Sequence, residues 1–146
     1  LENSRGRLAL VGSVAGFFAA PGYGAYHCSK AAVVALGRTI SAEIDGRGVS
    51  CTTVHPGFVA SEINQIDGHG RRHPERADTR PAWLMWPTDK AARVIVDAIE
   101  ARKRELVFTL HGRLVAWLGS HFPSVTHFAM TRQVANDQAD SFRVDD

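Results

Sequence analysis

Three residues near the start of the chain, Ser13, Tyr26 and Lys30, have the side-chain types and the spacing for acid–base chemistry at a carbonyl group. Tyr26 and Lys30 stand at positions i and i+4, so on a helix they lie on one face, about one turn apart. A phenol is a weak acid at neutral pH, and a neighbouring ammonium group favours its phenolate form. The pair is therefore suited to exchanging a proton with a substrate oxygen.

Ser13 directly follows an apolar run at residues 8–11 that ends at Gly12. Such a short run is typical of a strand buried on both faces of a parallel sheet. Open α/β sheets bind their ligands at the carboxyl ends of the strands, where we expect the Ser13 hydroxyl to meet the same substrate oxygen. Taken singly, a serine after a strand is more often a cap, and a Tyr–Lys pair at helical spacing is more often part of a solvated face.

The sequence around these residues predicts alternating strands and helices. Apolar residues at helical spacing predict a helix over residues 25–45, which ends at Gly46 and Gly48. The later elements are a strand at 49–54, a helix from an N-cap at Thr88 to the basic residues 102–104, a strand at 106–110, and two short helices hinged at Pro123. Alternation of this kind predicts an α/β fold with a parallel sheet.

The motif residues stand in a register that resembles the short-chain dehydrogenase/reductase family. In that family a serine precedes the tyrosine of a YxxxSK-like motif by thirteen positions, and a Pro-Gly turn follows the next strand. This sequence has the same spacing from Ser13 to Tyr26, the motif Tyr26-His27-Cys28-Ser29-Lys30, and the turn Pro56-Gly57. The resemblance covers about residues 8–110 of the chain.

This resemblance implies an NAD(P)-dependent oxidoreductase that interconverts an alcohol and a carbonyl compound by hydride transfer. Tyr26 would be the general acid/base, Ser13 would orient the carbonyl, and Lys30 would favour the Tyr26 phenolate and bind the nicotinamide ribose hydroxyls. The cofactor, either NAD or NADP, would contact a set of residues on the helix and the Pro-Gly turn: Tyr26, Lys30, Pro56, Gly57, Val59 and Ser61.

The resemblance also implies the fold class, an α/β, Rossmann-like, doubly wound parallel sheet. Residues 1–132 would be the C-terminal part of one such domain, and the acidic residues 133–146 a disordered tail. The glycine-rich phosphate loop that the family places after its first strand is not in this sequence. We therefore expect an incomplete fold, a piece of a longer protein, that by itself binds a dinucleotide weakly.

Composition excludes several other classes of function. Among 146 residues, 17 Lys and Arg stand against 15 Asp and Glu, a balance that argues against a nucleic-acid partner. Cys28 and Cys51 lack a metal-binding spacing and favour free thiols in a reducing, cytoplasmic location. His69 and His73 have the i, i+4 spacing, but the glycines and proline around them argue against a helix and so against a metal site.

Two segments outside the motif carry further expectations. Residues 62–82 hold few large apolar residues and predict a mobile substrate lid, in which Asp67, Glu75 and Asp78 neutralise nearby arginines. Residues 106–130 include Trp117, Leu118 and Phe122 and predict an apolar substrate and contact with a subunit or membrane surface. A homo-oligomer is expected for the longer protein.

Two alternatives from other classes stay open at this point. One is a catalytically inactive fragment of the family that serves as an interaction module. The other is a peripheral lipid-binding protein built around the apolar segment 106–130. Retention of Ser13, Tyr26 and Lys30 together argues against the inactive fragment, whereas the missing phosphate loop argues for it.

Overall fold

The computed structural model describes residues 1–67, 69–78 and 80–132, so the predicted tail at 133–146 lies outside the described residues. Three strands form one parallel sheet in the order β1-β2-β3. They are β1 (Arg7–Val11), β2 (Ser50–His55) and β3 (Glu105–Val107). The predicted α/β class with a parallel sheet is confirmed.

The main helices are α1 (Gly24–Glu43), α2 (Thr88–Glu100) and α3 (Leu110–His121), and residues 123–132 form a further helix, α4. Short 3₁₀ turns lie at Glu2–Ser4, Val14–Gly16, Glu62–Gln65 and Ala82–Leu84. Helices α3 and α4 meet at Pro123, as predicted. Within the described ranges no helix is both long and apolar enough to cross a bilayer.

Two element boundaries differ from the sequence prediction for a visible physical reason. The predicted strand at 106–110 ends early because the Thr109 side chain accepts a hydrogen bond from Gly112 N (3.1 Å) and caps α3, which begins at Leu110. Thr88 is not the N-cap of α2 but its first residue, and its hydroxyl donates to the Ala60 carbonyl (2.6 Å).

The core of the molecule is centred on β2. All residues of β2 from Cys51 to His55 are buried, including side chains that point to opposite faces of the sheet. Both α1 and α2 pack on this strand. Gly37 of α1 lies directly on the Thr53 side chain, where a Cβ atom would overlap it, so α1 approaches the sheet closely at this point.

The expectation that β1 is buried on both faces is wrong. Its side chains alternate, with Leu8 and Leu10 half-buried and Ala9 and Val11 exposed, Val11 to 62%. The face that carries Ala9 and Val11 is left open to solvent at this edge of the described sheet, where β1 has a strand partner on one side only. The carboxyl end of β1 nevertheless enters the core, where Gly12 N donates to Val54 O (2.8 Å).

Candidate active site

The predicted acid–base pair lies at the start of α1. Lys30 Nζ is 5.7 Å from the centre of the Tyr26 ring, so the ammonium group sits beside the phenol as the i, i+4 spacing predicts. The Tyr26 side chain is 46% exposed. The phenol is therefore held on a rigid helix and is open to a ligand from solvent.

Ser13 caps the 3₁₀ turn Val14–Gly16 at the carboxyl end of β1. Its Oγ accepts a hydrogen bond from Ala15 N at 3.2 Å. A hydroxyl that accepts a bond still has its own proton to donate. The cap is thus compatible with a second bond from Ser13 to a substrate oxygen.

A glycine and a histidine join the Ser13 turn to the helix that carries Tyr26 and Lys30. A Cβ atom on Gly16 would lie 2.8 Å from the Lys30 carbonyl oxygen, so only glycine permits this approach. The buried His27 ring bridges two points of the same loop, with Nδ1 2.7 Å from Ala15 O and Nε2 accepting from Ala20 N (3.2 Å). Because Nε2 accepts, the ring proton is on Nδ1 and is donated to Ala15 O.

The sequence analysis assigned no role to His27. Its signal was its place inside the motif, directly after Tyr26. As a neighbour of Tyr26, it fastens the loop after Ser13 to the first turns of α1.

The Pro56-Gly57 turn lies against the same loop. Val14 N donates to Pro56 O at 3.1 Å, which places the turn after β2 next to the turn after β1. On its other side, Gly57 packs on the Thr109 hydroxyl at the start of α3, where a Cβ atom would overlap it. All three predicted motif segments are therefore neighbours at the carboxyl end of the sheet.

The segment after this turn, residues 58–61, is held in an extended form by the chain that precedes α2. Ala60 N donates to Trp86 O (2.9 Å) and Trp86 N donates to Phe58 O (3.0 Å), which makes a short parallel bridge. Trp86 itself is anchored on Phe108, with ring centres 5.3 Å apart. Residues 58–61 are thus as well supported as a short strand.

A second support, which we call the Arg80 clasp, consists of Arg80 and Asp78. The guanidinium donates to Val59 O (3.2 Å) and Ser61 O (3.0 Å), and it makes three bonds to the Asp78 carboxylate (2.6, 2.8 and 3.1 Å). Hydrogen bonds from Arg80 hold the pKa of Asp78 well below its usual range, and Asp78 raises the pKa of Arg80. The sequence predicted the Arg80–Asp78 neutralisation but not the contacts with residues 59 and 61.

The other charged residues of the predicted lid pair differently from the expectation. Asp67 and Glu75 contact the His73 ring, at 2.9 and 3.0 Å, rather than an arginine side chain, and Asp67 also accepts from Arg71 N (2.9 Å). The hydrogen bond from His73 lowers the pKa of Asp67. Arg72 pairs with Glu62 at 2.6 Å. In the described ranges no three metal-type ligands are placed to hold an ion.

A groove of about 420 Å³ runs between α1 and β3 but does not include the motif residues. Arg38, Thr53, Arg104 and Glu105 are among its lining residues. Beside Glu105 lies His55, whose side chain is completely buried. The Ser13, Tyr26 and Lys30 side chains lie instead where the turns after β1 and β2 meet the start of α1.

Comparison with known proteins agrees with this arrangement. Residues 1–71 match the sequence model of the family described as short chain dehydrogenase. The chain is 46% identical over 61 residues to an "Inactive 2-(S)-hydroxypropyl-CoM dehydrogenase 2" of Xanthobacter autotrophicus, covering 42% of this chain and 26% of that protein. It is 27% identical over 135 residues to a "Dehydrogenase/reductase SDR family protein 7-like" of Anopheles gambiae, covering 91% and 42%.

Among solved structures, a short chain dehydrogenase from Burkholderia cenocepacia in complex with NADP shares the fold at a TM-score of 0.71 and 18% identity, covering 89% of this chain and 49% of that one. The chain thus spans less than half of each of these three proteins. The match over residues 1–71 and the shared fold thus make the chain similar to the short-chain dehydrogenase/reductase family.

Proposed function

We propose that the protein carrying this chain is an NAD(P)-dependent oxidoreductase that interconverts an alcohol and a carbonyl compound. The observation that carries the proposal is the joining of the three motif segments at one end of the sheet. Gly16 and His27 fasten the Ser13 turn to α1, and the Val14–Pro56 hydrogen bond fastens it to the Pro-Gly turn.

In the direction of reduction, the carbonyl carbon receives a hydride and the carbonyl oxygen receives a proton. Bound NADH or NADPH supplies the hydride. The Tyr26 hydroxyl donates the proton, Ser13 donates a hydrogen bond to the same oxygen, and Lys30 stabilises the phenolate that remains. Oxidation of the alcohol runs through the same groups in reverse.

The residues proposed to hold the nicotinamide half of the cofactor are Lys30, Pro56, Gly57, Val59 and Ser61. The support for this is that residues 58–61 are pinned by main-chain bonds to Trp86 and by the Arg80 clasp. With the Val59 and Ser61 carbonyls turned toward Arg80, the exposed Ser61 side chain is left for a ligand. A preshaped segment of this kind lowers the entropy lost on binding.

The test compares two tyrosines of the same chain region in the longer protein that contains it. Tyr26→Phe should lower kcat by about 10²- to 10⁴-fold, since the ring stays and only the proton donor is lost. Tyr23→Phe is the control, because Tyr23 is also exposed and lies at the start of α1 but has no catalytic role here. Full activity of the Tyr26→Phe protein would refute the proposal.

An inactive interaction module is the second candidate function, favoured by one observation. A relative with 46% identity over 61 residues bears a name that begins with "Inactive". Under this alternative, the longer protein would bind NAD(P) but would not turn over alcohols or carbonyl compounds. Tyr26→Phe would then have no effect on the rate.

We further propose an apolar substrate and contact with a membrane surface, on the basis of α3. The buried face of α3 is formed by the small residues Gly112 and Ala116, whereas Leu110, Leu114 and Trp117 are 82%, 57% and 52% exposed. A helix with bulky apolar residues facing solvent is typical of an interaction surface. Residues 106–132 contain Arg113 and Arg132 and no acidic residue, which favours an anionic lipid surface.

Vesicle sedimentation tests this surface. The chain should pellet with vesicles that contain phosphatidylglycerol, more weakly with pure phosphatidylcholine, and the Leu114→Ser, Trp117→Ser double variant should stay in the supernatant. Leu36→Ser is the control, because Leu36 is 50% exposed on α1. Equal loss of binding in the control, or no pelleting of the wild type, would overturn the membrane proposal.

The remaining proposals concern the setting of the domain. We propose a cytoplasmic location, in keeping with unpaired Cys28 and Cys51, and a domain that covers residues 1–132 followed by a tail. We also propose that the longer protein is a homo-oligomer, which light scattering coupled to size exclusion would reveal.

A further inference from the structure

His55 is a buried titratable residue that the proposed chemistry does not use. Its side chain is the largest of the fully buried ones, and it lies at the end of β2, immediately before the Pro-Gly turn. Both ring nitrogens are buried, and within the described ranges neither completes a hydrogen bond of good geometry. A buried polar group in this state needs an explanation, because leaving it unsatisfied costs free energy.

The His55 ring touches the chain segment that leads into Ser13. A Cβ atom on Gly12 would lie 2.6 Å from His55 Nδ1, so glycine is required for the strand to pass the ring. The Ser13 main chain is close enough to raise the pKa of His55. On its Nδ1 side the ring therefore meets the main chain at Gly12, directly before Ser13.

The opposite side of the ring faces an ion pair. His55 Nε2 lies 3.0 Å from Glu105 Oε1 on β3, and Arg38 of α1 lies 3.2 Å from the same oxygen. The neighbours of the His55 ring from β1 and from the loop after it are uncharged. They are Gly12 and Phe17, and the Phe17 ring packs edge-on at 4.8 Å between ring centres. Glu105 and Arg38 are thus the charged groups that face His55, and both line the groove that opens to solvent.

These contacts place His55 between the Glu105 carboxylate and the main chain that leads into Ser13. A neutral imidazole carries one ring proton, whereas the imidazolium carries one on each ring nitrogen. Burial lowers the pKa of His55, and Glu105 and the Ser13 main chain act against that lowering. With Nε2 3.0 Å from Glu105 Oε1, the neutral ring carries its proton on the side of Glu105, and a second proton on Nδ1 would face the main chain beside Gly12.

We propose that His55 is a positioning residue that sets the path of the chain into Ser13 and that couples the Ser13 main chain to protonation through Glu105. The effect on catalysis rests on the proposed function, whereas the coupling itself rests on the contacts of His55. The groove between α1 and β3 gives protons access to Glu105 without passing through the active site.

The experiment is a pH titration of the folded chain by NMR, with the histidine rings and the Ser13 carbonyl carbon as reporters. The Ser13 signal should titrate with the midpoint of His55. In Glu105→Gln that shared midpoint should fall by roughly one pH unit, because the ring loses its opposite charge. His121 is the internal control, since it is exposed against Trp117 on α3 and its ring signals should be the same in both proteins.

A second variant separates positioning from packing. His55→Phe keeps an aromatic ring against Phe17 and should abolish the pH dependence of the Ser13 carbonyl signal. His55→Gln keeps a hydrogen-bond donor and should leave that signal near its wild-type chemical shift. A Ser13 signal that does not titrate with His55, or a midpoint unchanged in Glu105→Gln, would overturn the proposal. Because these readouts need no turnover, they stand apart from the Tyr26→Phe test of the proposed function.

Discussion

Lys30 Nζ lies 5.7 Å from the centre of the Tyr26 ring, and the same side chain is proposed to bind the nicotinamide ribose. Its charge would therefore act on two partners, the phenolate and the ribose hydroxyls. In the longer protein we expect Lys30→Ala to lower kcat and to raise the Kd for NAD(P), each by at least about tenfold. Lys90→Ala is the control, since Lys90 lies over Trp86 and outside the site.

Steady-state kinetics and cofactor titration measure the two effects separately. A Lys30→Ala protein that loses only one of them would show that the lysine serves a single partner. Unchanged kinetics and binding would remove Lys30 from the site.

The buried His55 also makes stability depend on pH. Burial lowers its pKa in the folded state, so between the folded and unfolded pKa values the unfolded chain binds more protons. Above the unfolded-state histidine pKa of about 6.5, the ring is neutral in both states and the stability is fully present. The free energy of unfolding falls as the pH drops below that pKa.

Urea unfolding at pH 5 and pH 7.5 measures this term. The wild type should lose more stability on acidification than His55→Gln, which has no proton to take up at this position. Equal losses in the two proteins would contradict a lowered folded-state pKa for His55.

The sequence alone was enough to predict the site residues that lie close together along the chain. The Tyr26–Lys30 spacing and the position of Ser13 after a strand were enough to predict their placement. His55, Glu105 and Arg38 were not reachable in this way, because Arg38 and Glu105 are 67 residues apart and meet only after α1 and β3 pack on β2. His27 had a local signal, but only the structure gives it partners.

The loop between β2 and α2 is organised by the Arg80 clasp. One guanidinium holds two carbonyls of residues 59 and 61 and one carboxylate, so it ties the predicted lid to the proposed nicotinamide segment. Arg80→Ala should raise amide exchange in residues 58–61 by about tenfold or more and should raise KM for the cofactor more than it lowers kcat. Arg76→Ala is the matched control in the same loop.

The low pKa of Asp78 determines the pH at which acid weakens the Arg80 clasp. Because that pKa lies well below the usual carboxyl range, the contribution of the pair is present above the unfolded value and is lost only in strong acid. Exchange of residues 58–61 should thus be insensitive to pH between about 5 and 7 after correction for intrinsic rates. Loosening within that interval, or no effect of Arg80→Ala, would show that Trp86 alone holds the segment.

Element prediction was reliable for the periodic segments and less so at contacts between elements. The helix at 25–45 and the two helices meeting at Pro123 follow from spacing alone. The exposure of one face of β1 and the outward direction of Leu110, Leu114 and Trp117 depend on which neighbours each element finds. Periodicity marks an apolar face but does not tell what covers it.

The chain spans less than half of the three relatives described above, and we propose that it carries the catalytic end of a larger fold. Its sequence has no glycine-rich phosphate loop, and most of the binding energy of a dinucleotide comes from such phosphate contacts. We expect the 146-residue chain to show no NADH or NADPH binding by isothermal titration. Micromolar binding to a monomer would mean that residues 56–61 and Lys30 hold much more of the cofactor than we propose.

The exposed edge of β1 has a consequence for handling this chain. Val11 is 62% exposed on a strand whose outer edge has no partner in the described sheet. Such an edge is prone to pair with another chain. The isothermal titration with NADH and NADPH should therefore be accompanied by light scattering, so that only a monomeric sample is used.

The most direct test of the account is to follow the hydride itself. The longer protein is incubated with NADPH or NADH deuterated at the transferred position of C4 and with an apolar carbonyl compound, and the alcohol product is analysed by mass spectrometry and NMR. The account predicts one deuterium on the carbinol carbon with the wild type and with Tyr23→Phe, and formation at least about 10²-fold slower with Tyr26→Phe. Transfer at the wild-type rate by Tyr26→Phe, or an alcohol whose new hydrogen comes from solvent, would contradict it.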